Sequence, residues 1–540
     1  MYLGRKEKVL LFVLLIFCFF SCQGHILSAP HISGRYLKGQ PRDSVKVLPD
    51  VSHLIKKRAP AKDIAKTIGS VGTKKVAVII VDFNDKKFTS GWYTTANQTF
   101  TQLKNYYNEV SYGQLKLEIT FFYNGGTTAI LTGQEVAYTM PKNMSYYAQN
   151  TEESLSQLVK DAIIKSGVNK QNYHCVMVLH AGYGAESTDL SNIWSVYVNW
   201  EKDAPAVNGF FDGTIVPEKE LNASPLGVVC HEFGHQLGLP DLYYPAQDGN
   251  QYSIVGIWCL MDAGCWLGNP AGSQPAHLSA WCKKFLGWVE PMVVSTTTRN
   301  VQLPYVEVSP SVVKIEIITA DDSTQEYFLL EYKRKLAFDS SLPGEGILIW
   351  RIDDRIAMDR NRLERNDINS GIPHLGVDLV EADMTKINNK NLGEPTDVFT
   401  SGMSFIPSDY NVWAYNGEPI PTFVMDIAIE NQYAKFNILY QLEIKNLASG
   451  EVKIGNNYTY PGRIMVIGFN LPQDDEIEIL VYNISGKLVK NFGKNFYPAG
   501  NNSVQWWTID DNNERLSPGL YFVVVKGETI HKVEKFIIKK

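Results

Sequence analysis

Two histidines four residues apart, His231 and His235, enclose a glutamate, Glu232, in the stretch His-Glu-Phe-Gly-His-Gln-Leu-Gly-Leu-Pro-Asp that ends at Asp241. On a helix, residues four apart share a face, so the two imidazoles can converge on one metal ion. Glu232 stands beside the first of them, where it can act as general base on an attacking water. Gly238 lets the backbone leave the helix, because glycine adopts a positive φ without steric cost. The turn then returns Asp241 to the same point as an oxygen ligand. Two imidazoles and a carboxylate leave the fourth position of a zinc shell open, the arrangement that hydrolysis needs. The expected metal ligands are therefore His231, His235 and Asp241, the expected catalytic residue is Glu232, and the expected ion is Zn2+. The five-residue core of the motif also arises by chance in ordinary helices, and the plain alternative is a core helix with two incidental histidines. The glycine and aspartate at their offsets make the longer pattern specific.

The flanking sequence supplies what must position these residues. Ser224 followed by Pro225 predicts a helix start. Leu226, Val229, Cys230, Phe233 and Leu237 recur at helical spacing as a buried face. Upstream, the β-branched run Val76 to Val81 predicts a buried strand, and Leu115, Leu117 and Ile119 a second. Phe100 to Tyr107 and residues 154 to 165 have helical spacing, Ser111-Tyr112-Gly113 marks a turn, and Cys175 to His180 predicts another strand. Trp194 to Trp200 reads either as an edge strand that holds substrate backbone by β-augmentation or as one more core strand. His174, His180, His277 and His374 lie outside the motif and read as structural residues.

At this point the chain resembles the immune-inhibitor-A-like secreted metallopeptidases. The resemblance rests on Gly238-Leu-Pro-Asp-Leu-Tyr243, on the strand Lys75 to Phe83 with Asn84-Asp85, and on Tyr106-Tyr107-Asn-Glu-Val-Ser111-Tyr-Gly113. It extends through Lys284-Phe-Leu-Gly287-Trp288, Leu342-Pro-Gly344-Glu-Gly346-Ile-Leu-Ile-Trp350 and Gly376-Val-Asp-Leu-Val-Glu-Ala-Asp383, and so covers roughly residues 70 to 440. The resemblance implies a zinc-dependent endopeptidase, secretion and bound Ca2+. In metzincin-like peptidases a turn carrying a methionine lies under the zinc ligands. Met261, in Trp258-Cys-Leu-Met-Asp-Ala-Gly264, is placed as such a soft floor, a core-packing methionine being the alternative. The family often has an aspartate soon after Asp-Leu-Tyr, where Tyr244 and Pro245 stand here. Asp353, Asp354, Asp378, Asp383 and Asp397 are the carboxylates that could hold calcium further on, or simply face solvent. Tyr243 and Tyr244 are the candidates for oxyanion support.

At 540 residues the chain is too long for one domain. Its apolar share of 44% suffices for ordinary cores, and a net charge of −6 argues against a nucleic-acid partner. Arg5, Lys6 and Lys8 before the apolar run Val9 to Phe20, then Ser21-Cys22-Gln23-Gly24, read as a signal peptide over residues 1–24. Cys22 opens a lesser alternative, a lipid anchor. Residues 25–70 read as a propeptide or a linker. Five cysteines follow, at 175, 230, 259, 265 and 282; an odd number leaves at least one unpaired, and Cys259 with Cys265 could staple the methionine turn.

The expected fold is an α/β zincin-like catalytic domain over 71–294, a β-rich accessory domain over 295–445 and a C-terminal immunoglobulin-like β-sandwich over 456–540. In that last segment Tyr482-Asn-Ile-Ser-Gly486-Lys, Ser517-Pro-Gly519-Leu-Tyr521-Phe522 and the ending Lys535 to Lys540 resemble the C-terminal sorting domains of type IX secretion cargo. Its opening, Tyr460-Pro461-Gly462, and Trp506-Trp507-Thr508 depart from that pattern, and a plain spacer is the rival reading. The expected protein is thus a monomer, secreted or held at the cell surface. It would act on proteins or peptides and meet an outer-membrane secretion machinery through its C-terminal domain. The rival class is a non-catalytic adhesin or binding protein on a peptidase scaffold; the presence of Glu232 beside intact ligands speaks against it.

Overall fold

The computed structural model describes residues 25–28, 68–201, 203–245, 251–317, 325–371, 374–417, 420–440, 447–455, 458–459, 464–512 and 514–539. The expected signal peptide and most of the propeptide segment lie outside these. The chain divides into two compact units, one reaching to residue 438 apart from 421–423, the other comprising 421–423 and 439–540.

The first unit is built on a mixed sheet. Its strands are β1 (His25–Ser28), β2 (Gly72–Asp82), β3 (Leu115–Tyr123), β4 (Gly126–Thr128), β5 (Tyr138–Thr139), β6 (Cys175–Tyr183), β7 (Val196–Asn199) and β8 (Asp212–Lys219). The order is β1-β7-β8-β6-β2-β3-β4, with β5 beside β2. Strands β3, β2, β6 and β8 run parallel, whereas β7 lies antiparallel on β8 and β1 antiparallel on β7. The run predicted from Val76 to Val81 is the centre of this sheet, and period-two alternation explains why it is apolar throughout. Val76, Val78 and Ile80 enter one core, and Ala77, Ile79 and Val81 enter another.

Helices cover both faces. Helix α1 (Trp92–Val110) turns Phe100, Leu103, Tyr106, Tyr107 and Val110 toward the first core. Helix α2 (Glu152–Ser166) turns Leu155, Leu158, Val159, Ala162 and Ile163 toward the second. Its ends explain its length: Thr151 and Ser154 form a reciprocal capping box, and Gly167 closes it in the left-handed region at φ 69°. Helix α3 (Leu226–Gln236) carries the histidine motif and is buried along its whole length.

The first core continues into the downstream chain. A five-stranded sheet, in the order Met292–Val294, Val313–Glu316, Glu326–Lys333, Gly346–Asp353, Val377–Val380, contributes Leu329, Leu348, Trp350, Ile352, Val377 and Leu379 to it. Buried polar groups tie the same two regions. Glu109 at the end of α1 accepts from His277 Nε2 (2.7 Å) and from the Phe338 N–H (3.1 Å). Asp339 accepts from the His277 N–H (2.8 Å) and from Lys333 Nζ (2.9 Å). This accounts for Glu109 within the Tyr-Tyr-Asn-Glu segment.

Among its described residues the second unit is all β. One three-stranded sheet and one five-stranded sheet share a core of Ile467, Phe469, Ile477, Ile479, Val481, Trp506, Val523, Val525 and Phe536. Among the described residues, no helix is long and apolar enough to cross a membrane.

Candidate metal centre

Helix α3 begins one residue after the expected proline, and the Ser224 hydroxyl accepts the Leu226 N–H at 3.3 Å. Gly227 is required at its start: a side chain there would overlap the backbone carbonyl of Cys265. The helix ends at Gln236, and Gly238 follows at φ 108°, the positive φ that the sequence pattern requires.

The structure brings His231, His235 and Asp241 together. Their ligand atoms lie within 4.8 Å of one another, and among the described residues they are the group of histidine, cysteine and acidic side chains able to hold a metal ion. Nε2 of His231 is 3.0 Å and Nε2 of His235 is 3.3 Å from the same oxygen, Asp241 Oδ1. The other nitrogens are occupied. His231 Nδ1 lies 2.9 Å from the Leu260 carbonyl and His235 Nδ1 2.8 Å from the Leu239 carbonyl. A carbonyl can only accept, so each Nδ1 carries the hydrogen and each Nε2 is left to face Asp241. Two imidazole nitrogens and a carboxylate oxygen thus converge in a place closed to solvent, with 0, 1 and 2% exposure. Donor atoms so arranged repel unless positive charge lies among them, either protons on the imidazoles or a cation. Two nitrogens and one oxygen, each imidazole steadied by a backbone carbonyl, form a donor set that zinc accepts. Burial pushes the Asp241 carboxyl up, but the imidazoles of His235 and His231 more than reverse this and hold it well below the usual carboxylate range.

Glu232 is fully buried one residue from the first histidine. Tyr107, on α1, braces the helix by donating to the Cys230 carbonyl at 2.7 Å.

Met261 lies against the helix. A side chain at Gly234, between the two histidines, would meet Met261 Sδ at 2.7 Å. The same turn holds His231 and the Asp241 loop through its backbone. The Leu260 carbonyl takes the His231 hydrogen, and the Met261 carbonyl accepts the Leu242 N–H at 2.8 Å, next to Asp241. Asp262 organises this turn. Its Oδ2 accepts the N–H groups of Ile254 (2.9 Å), Val255 (2.8 Å) and Gly256 (3.0 Å), and its Oδ1 accepts those of Ala263 N–H (2.7 Å) and Ser253 Oγ (3.0 Å).

Other expectations fare differently. Cys259 and Cys265 do not pair. The five cysteines among the described residues are free and buried, and the neighbour of Cys259 Sγ is Cys282 Sγ at 4.0 Å. Tyr243 is buried, and Tyr244 stacks on Tyr252 with ring centroids 6.0 Å apart. The downstream aspartates are engaged separately rather than grouped: Asp353 with Arg355 and His374, Asp354 with Tyr327, Asp378 with Lys386, Asp383 with Thr396, Asp397 with Trp258. His174, His180, His277 and His374 have structural partners: Lys75 N–H for His174, Ala181 O for His180, Glu109 for His277 and Asp353 for His374.

Sequence reasoning missed Asp262 and two asparagines near the site. The side chain of Asn366 accepts the Asp241 N–H at 2.8 Å and donates to Asp241 Oδ2. Asn369 donates to the Leu242 carbonyl at 2.7 Å. The one local signal was an asparagine just after a short helix, which marks a left-handed cap but not its partner.

Comparison with known proteins places His231, His235 and Asp241 inside a matched segment. Residues 172–289 match the immune inhibitor A peptidase M6 catalytic domain, and residues 463–539 match the secretion system C-terminal sorting domain. The chain therefore carries a peptidase M6 domain of the immune inhibitor A type and a C-terminal sorting domain. The pre-pro-metalloprotease PrtV of Vibrio cholerae is 28% identical over 253 residues, 38% of this chain and 26% of that protein. Immune inhibitor A of Bacillus thuringiensis subsp. alesti is 33% identical over 127 residues, 20% of this chain and 18% of that protein. The chain thus spans about a quarter or less of the length of these curated relatives. The crystal structure of OgpA from Akkermansia muciniphila aligns over 92% of this chain and 96% of that one, at 10% identity and a TM-score of 0.22, too slight a likeness to show a common fold.

Proposed function

We propose that this chain is an exported zinc-dependent endopeptidase, with His231, His235 and Asp241 as the metal ligands and Glu232 as general base. The observation that carries the reading is the convergence of two Nε2 atoms on Asp241 Oδ1 while carbonyls hold both Nδ1 hydrogens away. Bound zinc would supply Lewis-acid polarisation of a scissile carbonyl and acidify water at the site. The chain's own groups do the rest. The two imidazoles present Nε2, held in one orientation by the carbonyls at Nδ1. Glu232 takes the proton of the attacking water and returns it to the leaving amine.

Substrate would be protein or peptide in extended form. The pairing of β1 on β7 in antiparallel register, from His25 opposite Asn199 to Ser28 opposite Val196, supports this, since it is strand addition to the rim of the sheet. Parallel strands, the antiparallel strands β7 and β4 and a buried histidine helix support a zincin-like catalytic fold over 71–294 with 295–445 as its accessory part. The C-terminal sorting match supports export through an outer-membrane machinery, with 456–540 as an immunoglobulin-like sandwich. The chain would act as a monomer at the surface or in the medium.

The test pairs metal content with turnover. Purified chain should cleave casein, stop when a zinc chelator is added and recover on zinc addition. Glu232→Gln should retain zinc and melting temperature but lose about 10²- to 10⁴-fold in turnover. A variant that cleaves at near the unmodified rate would end the general-base assignment, and one that loses its zinc would make Glu232 structural.

A further inference from the structure

The third expected ligand does not hold its own orientation. Asp241 follows Gly238, Leu239 and Pro240 in a loop, and the χ2 torsion of an aspartate is soft and nearly two-fold. Left alone, the carboxylate could present either oxygen, or both, to the imidazoles. In the structure it presents one. Oδ1 faces His231 Nε2 and His235 Nε2, while Oδ2 accepts a hydrogen bond from Asn366 Nδ2. The amide oxygen of the same asparagine accepts the Asp241 N–H at 2.8 Å. One planar side chain therefore fixes both the backbone and the carboxylate plane of Asp241. Asn366 is itself 2% exposed, so water does not compete for these bonds.

The amide is well anchored. Asn366 caps the short helix Arg360–Arg365 in the left-handed region, at φ 55° and ψ 40°, which asparagine tolerates better than most residues. That helix is fixed at its start by the Asp359 carboxylate, which accepts the Arg362 N–H at 2.8 Å. Three residues on, Asn369 grips the next part of the ligand loop. It donates to the Leu242 carbonyl (2.7 Å) and to the Val377 carbonyl (2.8 Å), and accepts the Val377 N–H (3.0 Å). Val377 begins a strand of the downstream sheet. The ligand loop is thus pinned to a rigid element 125 residues away in sequence.

We propose that Asn366 is a positioning residue for the metal, selecting Oδ1 of Asp241 as the single ligating oxygen and reserving Oδ2 for itself. The inference rests on the metal reading above. Removing such a partner of a ligating carboxylate typically weakens metal binding by about 10- to 100-fold.

The experiment measures zinc affinity of the full chain by competition with a chromophoric chelator, beside the visible absorption of the Co2+-substituted protein. Two variants are compared. Asn366→Gly removes the amide and suits the positive φ. Asn366→Asp keeps the shape but replaces the donor to Oδ2 by a like-charged oxygen. Both should bind zinc about 10- to 100-fold more weakly and shift the Co2+ bands, while metal-free protein keeps its near-ultraviolet dichroism. Zinc affinity within twofold of the unmodified chain in both variants overturns the inference. So does loss of the metal-free fold in both, because that is a structural role. Asp241→Ala and His235→Ala separate the two readings: if these also leave zinc affinity unchanged, it is the metal assignment that fails.

Discussion

Replacing Asp262 by alanine tests whether one buried carboxylate holds the floor of the metal centre. Asp262 is 1% exposed and accepts four backbone N–H groups and one hydroxyl. Alanine leaves the four N–H groups without their partner. A buried donor left unpaired costs about 1 to 3 kcal/mol, so the low end summed over four gives about 4 kcal/mol. With an unfolding entropy of about 2.1 cal/mol/K per residue over a unit of roughly 350 residues, this lowers the melting temperature by about 5 °C. Asp262→Asn should cost less. Its amide oxygen can keep the N–H groups of Ile254, Val255 and Gly256, while its NH2 then faces the Ala263 N–H, a loss of about 1 to 3 kcal/mol. Burial lifts the carboxyl to about 6, the hydrogen bonds notwithstanding, so the melts belong at pH 8, where it is ionised. Zinc affinity should fall as well, because the turn next to Asp262 supplies the carbonyls that hold His231 and Leu242. A transition of the first unit within 1 °C of the unmodified chain for Asp262→Ala would refute the reasoning.

Gly227→Ala should prevent seating of the histidine helix, since its side chain would overlap the Cys265 carbonyl; soluble yield and near-ultraviolet dichroism report this. Gly234→Ala is milder, meeting Met261 Sδ at 2.7 Å, and should cost about 1 to 3 kcal/mol in thermal melts, with the double variant carrying Met261→Ala recovering part of the loss. Glu186 and Glu220 are both buried, and their carboxylates crowd the same face of Gly184. Burial pushes Glu186 up to about 7 and Glu220 well above the ordinary range, the Glu186 charge adding to the latter. Folded values above the unfolded 4.5 mean that, as pH rises from about 4.5 to 7, the unfolded chain ionises while the native pair keeps its protons, so the native state loses stability. Glu220→Gln should therefore gain melting temperature relative to the unmodified chain between pH 5 and pH 8, and an equal difference at both pH values would contradict it.

What could be read in the sequence follows from the range over which each signal acts. The proposed ligands His231 and His235 are related by one helical turn, and Gly238 declares a positive φ, so spacing alone brings Asp241 back. The strand from Val76 to Val81 declares burial on both faces by lacking polar residues. The seat of Met261 was legible only through the resemblance, because a methionine in a glycine-rich loop has no periodicity to orient it; its contact partner, Gly234, carries no side chain to signal the approach. Asp262 was invisible because four of its five donors, from two neighbouring segments, meet it through backbone N–H groups, which leave no residue-type signature. Asn366 was invisible because a cap residue announces its own φ and not what its side chain reaches. The two silent residues share a physical cause. Metal ligands must be histidine, cysteine or carboxylate, whereas the groups that orient ligands need only offer a hydrogen bond, which most of the chain can do. The donor set is therefore chemically constrained and local, and its support is chemically permissive and distant. That is why the match to residues 172–289 includes all three donors, yet Asn366 lies well beyond its end.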